Sequence, residues 1–348
     1  NILSKKYNLL KINSSKNVNN KNVRKFNLSR GISTIFLFID ILKNIKKAHF
    51  VYYIASLSYS GFIRDFFVVT ICKFYSKKIF IHIHGGNFKG NLLKHPIFSF
   101  FFIYIYKKVN KVLILSKKFK KDFDFLDNSK VYVLPNSIPI NLYRREKIVK
   151  KKINYKNKIK ILYLSNLIPS KGYLDLLEVC KILKDSKIEF ECIFAGKFIP
   201  VYTSKDIYEL ENDFKEFIKK NKLSKNVKLI KNLSLSKKIY LLERSNIFIL
   251  PTKYLGEGLP ISLIEATFFG LPIISTTNAA ISDVVENNKN GYLLKNINPK
   301  SIYHKIKEVF KNQKKFESMS KYSRNIYDKK FSLKKIKIKT EKCFEIEK

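Results

Sequence analysis

The chain has no tryptophan, one methionine and four cysteines, and its 27 acidic residues face 69 lysines and arginines. Each scarcity excludes something. Cys72, Cys180, Cys192 and Cys343 show neither the close spacing of a zinc site nor a CxxC redox pair, which rules out a metal-stapled domain. Cys180 and Cys192 lie in apolar contexts and read as buried thiols of a reducing compartment. Long apolar runs are missing too. The longest, residues 96–106 (PIFSFFFIYIY), falls well short of the ~20 residues of a spanning helix. No secretory signal is recognisable, so a cytoplasmic protein is expected. The first residue is Asn1 rather than Met, and residues 1–25 are polar, without a strand followed by a glycine turn. An N-terminal domain lacking its first strand is therefore expected.

What is present suits two domains: 348 residues, 45% hydrophobic, enough to fill two cores. The net charge of +42 admits three readings. Nucleic acid is one and an anionic membrane surface is another. The third is a codon-driven composition that overuses Lys, Asn and Ile together. The lysines recur along the whole chain, as at Lys150, Lys219 and Lys334, with no single block. No nucleic-acid motif and no basic face with interleaved aromatics is visible, so no specific nucleic acid is expected. A general basic nucleic-acid binder stays as an alternative.

Apolar runs without alternation, joined by short connections, mark buried parallel strands covered by helices. In the second half these runs are residues 159–165, 190–195, 227–230, 246–251, 271–275 and 291–294. Helices are expected between them at 173–183, 205–220, 236–244 and 260–270, with a short one at 281–286. The first half repeats the pattern less cleanly, with strands at 50–54, 79–84, 112–115 and 131–134. Lysine-rich residues 141–158 read as a hinge, and the chain from Phe316 onward as helix. The expected domains are 1–150, 151–315 and C-terminal helices over 316–348 packing back on the first domain. Residues 96–106, followed by Lys107 and Lys108, are either a core helix of that domain or a face pressed against lipid.

Ligands of open parallel sheets bind beyond the strands' C-terminal ends. Glu257 lies there, in a loop after a strand, flanked by Gly256 and Gly258, which let backbone approach a ligand closely. Glu265 follows eight positions later on a helix opened by Pro260, whose free N–H groups suit a diphosphate. A helix carboxylate can accept from two vicinal hydroxyls, as in a ribose. Lys171 lies in a strand-to-helix turn from which a cation reaches a diphosphate. His82 and His84 share a face of one strand but lack acidic or thiol partners, so no metal is expected there. Asp122 and Asp124 imitate a D-x-D metal motif, but they lie in helical sequence two residues apart and do not share a face.

The segment PTKYLGEGLPISLIEATFFG, residues 251–270, resembles the E-x7-E signature of retaining family 4 glycosyltransferases, and the likeness runs from about Ile79 to Leu294. That resemblance implies the α/β GT-B fold: two Rossmann-like doubly wound domains facing a cleft. It implies that Glu257 contacts the donor sugar and Glu265 the ribose. Amides near Gly258 and Leu259 would meet sugar and phosphate, over a helix start formed by Pro260, Ile261 and Ser262. Lys171 matches the lysine that holds the diphosphate, while Asn166 stands where the family carries an arginine. His84 matches a histidine near the reacting centre, and Gly85, Gly86, Asn87, Ser116 and Asn136 fall at cleft-edge positions. The resemblance further implies a nucleotide-sugar donor, UDP- or GDP-linked, with no cofactor or metal. The acceptor would be a glycan or a lipid-linked sugar of capsule, exopolysaccharide or lipopolysaccharide synthesis, with anomeric configuration retained. An inactive remnant is the alternative that Asn166 and the short N-terminus keep open.

Overall fold

All ten apolar runs form strands. The computed structural model describes residues 3–5, 7–12, 28–56, 59–92, 96–138 and 158–345. It contains two compact units: residues 1–135 with 337–348, and residues 136–336. The divisions expected from sequence fell at 150 and 315. The hinge expected over 141–158 lies outside the described residues except for Lys158.

In the first unit, helix α1 (Leu28–Ile45) leads into β1 (Phe50–Ile54), then α2 (Tyr59–Phe74), β2 (Lys78–Ile83), α3 (Phe88–Leu92), α4 (Pro96–Lys108), β3 (Lys111–Ile114) and β4 (Val131–Val133). The strands pair in parallel in the order β1-β2-β3-β4, without a reversal among the described residues. Strand β3 is buried throughout, as a run without polar alternation requires.

The second unit runs β5 (Ile159–Leu164), α5 (Tyr173–Asp185), β6 (Phe190–Ala195), α6 (Ile207–Lys220), β7 (Val227–Ile230), α7 (Leu235–Arg244), β8 (Ile247–Leu250), α8 (Ile261–Phe268), β9 (Ile273–Thr276), β10 (Gly291–Leu294), α9 (Pro299–Phe310) and α10 (Gln313–Ile326). Its six parallel strands follow the order β10-β9-β8-β5-β6-β7. This is a doubly wound sheet whose winding reverses between β5 and β8. Caps fix the helix starts. Asp206 and Glu209 form a capping box on α6, and the Ser234 hydroxyl accepts from Lys237 N before α7.

A π turn (Tyr327–Phe331) joins α10 to the last helix, α11 (Leu333–Glu345), which starts in the second unit and ends in the first. Its end completes the first core, where Cys343 and Phe344 pack with Phe80, Leu113 and Leu134. Lys111 Nζ donates to Cys343 O at 2.8 Å, which satisfies a carbonyl of the last turn, and Tyr132 Oη donates to Lys339 O at 3.0 Å. No helix among the described residues is long and apolar enough to cross a membrane.

Candidate active site

Where a sheet reverses its winding, the two neighbouring connections leave in opposite directions and open a crevice beyond the strand ends. Here the exits of β5 and β8 meet, and they carry residues 165–172 and 251–258.

A glycine brings the two exits together. Lys171 closes a short 3-10 turn, and the next residue, Gly172, has φ +77°. A Cβ at Gly172 would lie 2.2 Å from the Pro251 carbonyl oxygen, so only glycine lets the turn after β5 press on the end of β8. Lys253 N then donates to Ser170 O at 2.7 Å and ties the turns together.

The result is a charged pair. Lys171 Nζ lies 3.3 Å from Glu257 Oε2, with both side chains largely buried. Thr252 Oγ1 donates to the same carboxylate oxygen at 3.2 Å, and Thr276 Oγ1 holds Thr252 by donating to its carbonyl at 2.8 Å. A buried carboxylate needs this compensation, because stripping it of water costs several kcal/mol otherwise (roughly). Lys171 Nζ also sits 5.3 Å from the centre of the Tyr254 ring. Burial, then Tyr202 and Glu257 nearby, push the Tyr254 phenol up, so it stays a neutral donor.

Glu265 lies eight residues after Glu257, on α8. It is buried, and Lys238 of α7 reaches it with Nζ 2.6 Å from Oε1. Pro260 is the N-cap of α8 and supplies no side-chain cap to the first amides of the helix, which starts at Ile261 and Ser262. The loop before it is held by its neighbours. Ala280 N donates to Gly258 O at 3.2 Å, Asn278 Nδ2 to Tyr254 O at 2.8 Å, and Asn136 Nδ2 to Leu259 O at 2.7 Å. Gly256 faces the Tyr254 ring, and a Cβ there would come within 2.8 Å of its hydroxyl. Asn166 is exposed just past β5, where its carbonyl accepts from Ile168 N.

The far end of α8 is tied just as firmly. Its last carbonyls have no partner within the helix. Arg324 Nη1 of α10 donates to Phe268 O at 2.8 Å, Ser320 Oγ to Gly270 O at 2.6 Å and Ser323 Oγ to Leu271 O at 2.8 Å.

Glu257, Lys171, Glu265, Asn166, Asn136 and residues 256–262 thus belong to the second unit, while His84, Gly85, Gly86, Asn87 and Ser116 belong to the first. His82 is buried and His84 exposed, with ring centres 4.1 Å apart. Leu134 O can only accept, so His82 Nε2 donates to it at 3.2 Å and Nδ1 accepts from Tyr52 Oη at 2.6 Å. Burial, with His84 beside it, lowers the His82 pKa to about 3 and keeps the ring neutral. Gly85 is half-buried, Gly86 buried, and Asn87 exposed with φ +53°. Ser116, expected at an edge, is instead fully buried, and its hydroxyl caps the turn over Lys117–Phe123 by accepting from Lys118 N. Asp122 accepts from Phe88 N, and Asp124 pairs with Lys89. Among the described residues no cluster of His, Cys, Asp and Glu could hold a metal ion.

Sequence reasoning missed Thr252 and Lys238. Thr252 carried a usable signal, since it directly follows Pro251 at the exit of β8. Lys238 carried none: it is one of many lysines, 27 positions from the glutamate it meets.

Comparison with known proteins gives a consistent picture. The family model described as "Glycosyl transferases group 1" matches residues 144–326, more than half of the chain. An uncharacterized glycosyltransferase of Methanocaldococcus jannaschii, MJ1178, is 24% identical over 334 residues, covering 96% of this chain and 86% of that protein. The amylovoran biosynthesis glycosyltransferase AmsK of Erwinia amylovora is 30% identical over 139 residues, 39% of this chain and 32% of its own. Among solved structures, Anabaena HepE in complex with UDP-glucose superposes with a TM-score of 0.71 at 14% identity, covering 89% of this chain and 82% of that one. The likeness to HepE is one of fold, the GT-B architecture of two Rossmann-like units.

Proposed function

This chain belongs to the glycosyl transferases group 1 family, and from that premise we propose that it moves a sugar from a UDP- or GDP-sugar to a glycan or lipid-linked acceptor, with retention of configuration, in cell-surface polysaccharide synthesis. The observation that carries the donor reading is the 3.3 Å pair of Lys171 and Glu257 at the point where the sheet reverses, with buried Glu265 on the helix that follows in sequence. Surface polysaccharide as the product rests on relatives such as AmsK, whose name places it in amylovoran biosynthesis.

As the bond from sugar to diphosphate breaks, negative charge grows on the leaving group and positive charge on the ring. Lys171 has three N–H donors and spends one on Glu257, so the others are free in direction to meet phosphate oxygens. The first amides of α8, at Ile261 and Ser262, add a positive dipole end for the same charge. Glu257 accepts from hydroxyls of the donor sugar, and Thr252 and Lys171 keep its carboxylate aimed. Glu265 accepts from the ribose hydroxyls, with Lys238 fixing one of its oxygens. Asn166 donates a hydrogen bond but no charge, which leaves Lys171 as the main cation for the diphosphate. The acceptor attacks from the face the diphosphate leaves, and the leaving phosphate takes its proton.

A thermal-shift screen of UDP-, GDP- and ADP-sugars identifies the donor, and NMR of the product reads the anomer. Inversion at the anomeric carbon would refute retention. A purified chain stabilised by none of these donors would sink the transferase reading.

A further inference from the structure

Helices α2 and α4 are successive crossovers among β1, β2 and β3, which right-handed winding puts on one face of the first sheet, and α1 packs on α2. A surface helix ordinarily buries one face and offers water a polar one. These helices offer an apolar one. On α1, Leu37, Ile41 and Ile45 are buried, yet Ile35, Phe36 and Ile39 face solvent, Phe36 at 55% exposure. Phe67 on α2 is 48% exposed and Phe100 on α4 is 71% exposed.

Ring contacts link the three helices into one strip. Phe38 of α1 meets Phe67 at 5.7 Å, Phe67 meets Phe66 at 5.5 Å, Phe66 meets Phe101 at 6.3 Å, and Phe101 meets Phe100 at 5.9 Å. A connected strip differs from the single exposed apolar side chains that any surface carries.

The charges around it are almost all basic. From Leu28 to Lys121 the only acids are Asp40 and Asp65, and Asp65 is buried, accepting from Tyr53 Oη and paired with Arg64. Lys43, Lys73, and Lys107 with Lys108 occupy the last turns of α1, α2 and α4. Each of these helices leads into a strand of the same parallel sheet, so their C-terminal turns gather at one end. Lys108 Nζ lies 4.1 Å from the centre of the Tyr104 ring, a cation carried at the tip of an aromatic surface.

We infer that this face docks the protein on an anionic lipid bilayer, with the aromatic strip at the acyl boundary and the lysines among the headgroups. Codon bias accounts for scattered lysines but not for an apolar strip facing water. Nucleic acid matches the charge but offers no continuous apolar phase. A second copy of this chain would set lysines against lysines. The surface stands on the first unit alone and is independent of the donor-site reading.

The test sediments the full chain with vesicles of phosphatidylcholine alone and of phosphatidylcholine with phosphatidylglycerol, at low salt and at ~1 M salt, where charges are screened within ~3 Å. Strong binding to the mixed vesicles is expected, weak binding to the neutral ones, and a fraction that survives high salt. The charge-neutral double variant F36S/F100S lowers partitioning by about tenfold at both salts, with circular dichroism and melting temperature unchanged. Should it misfold, I39S/Y104S replaces it. Binding that the variant keeps in full and that salt abolishes overturns the proposal, since scattered charge then suffices. It is equally overturned by wild-type protein that stays in the supernatant. A dimer in light scattering that the variant dissolves, without vesicle binding, overturns it as well.

Discussion

Strands β2 and β8 are both interior strands of parallel sheets, yet their C-terminal exits are chemically opposite. Beyond β8 lie Thr252 and Glu257, locked to Lys171 from the exit of β5. At the end of β2 lies His82, uncharged, sharing its two nitrogens between Tyr52 and Leu134 O. The second sheet reverses direction and so gathers two strand exits into one polar cluster. The first sheet runs straight through its described strands, and its buried pair of Asp65 and Arg64 lies on α2 rather than where two strand exits meet.

The sharpest way to test that contrast is to remove the charges. K171Q and E257Q should each lower turnover by about 10²–10³-fold, in protein that circular dichroism shows is still folded. Near-normal turnover in both would mean that the charged exit is structural only. A core change in the other unit should do the reverse. F344A removes a ring 4.7 Å from Phe80 and should cost the first unit ~3–5 kcal/mol in urea unfolding, with donor binding retained. Next comes R324A, which frees the Phe268 carbonyl and unstacks a guanidinium 4.6 Å above the Phe268 ring. A loss of ~1–2 kcal/mol is expected, because α8 loses one of three ties at its end.

The smallest effect is a difference in acid sensitivity. His82 has a folded pKa of about 3 against an ordinary 6.5. As pH falls through 6.5 the unfolded chain takes a proton that the folded ring refuses, so stability declines from there down toward 3. In the second unit, Glu286 is held at about 2 against 4.5, chiefly by the Tyr322 hydroxyl and then Lys330, and Glu308 at about 2 by Lys305 and Lys315. Their stabilisation is complete above 4.5 and is lost only as pH falls toward 2. Melting curves across pH should therefore lose their slope between pH 6.5 and 4.5 in H82Q, and become shallower only below 4.5 in E286Q. Identical profiles for the two variants would erase the distinction.

The strands were legible because a parallel strand covered on both faces needs no polar alternation, as in IFIL of β8, fully buried. The donor segment was legible for a related reason: glycines, a proline and two glutamates stand close together in sequence. Helix α1 was not. Its ISTIFLFIDIL stretch is apolar on both faces, so no helical period separates core from surface. Helix α9 went unread although Asn298, Pro299 and Ser301 spell its capped start. Contacts made by tertiary folding left no trace either. Nothing near Asn136 announces Leu259, and Ser116 matched a family position while serving as a cap.

The path of α11 has a consequence for synthesis. The ribosome delivers residues 136–336 as an uninterrupted stretch, and a chain emerging N-terminus first can close that unit as soon as it is out. Residues 1–135 are made earlier but wait for Cys343 and Phe344, which follow the whole second unit, before their hydrophobic interior is complete. The older half of the nascent chain is thus the later to mature, and meanwhile it holds an unfinished apolar interior that invites chaperone binding.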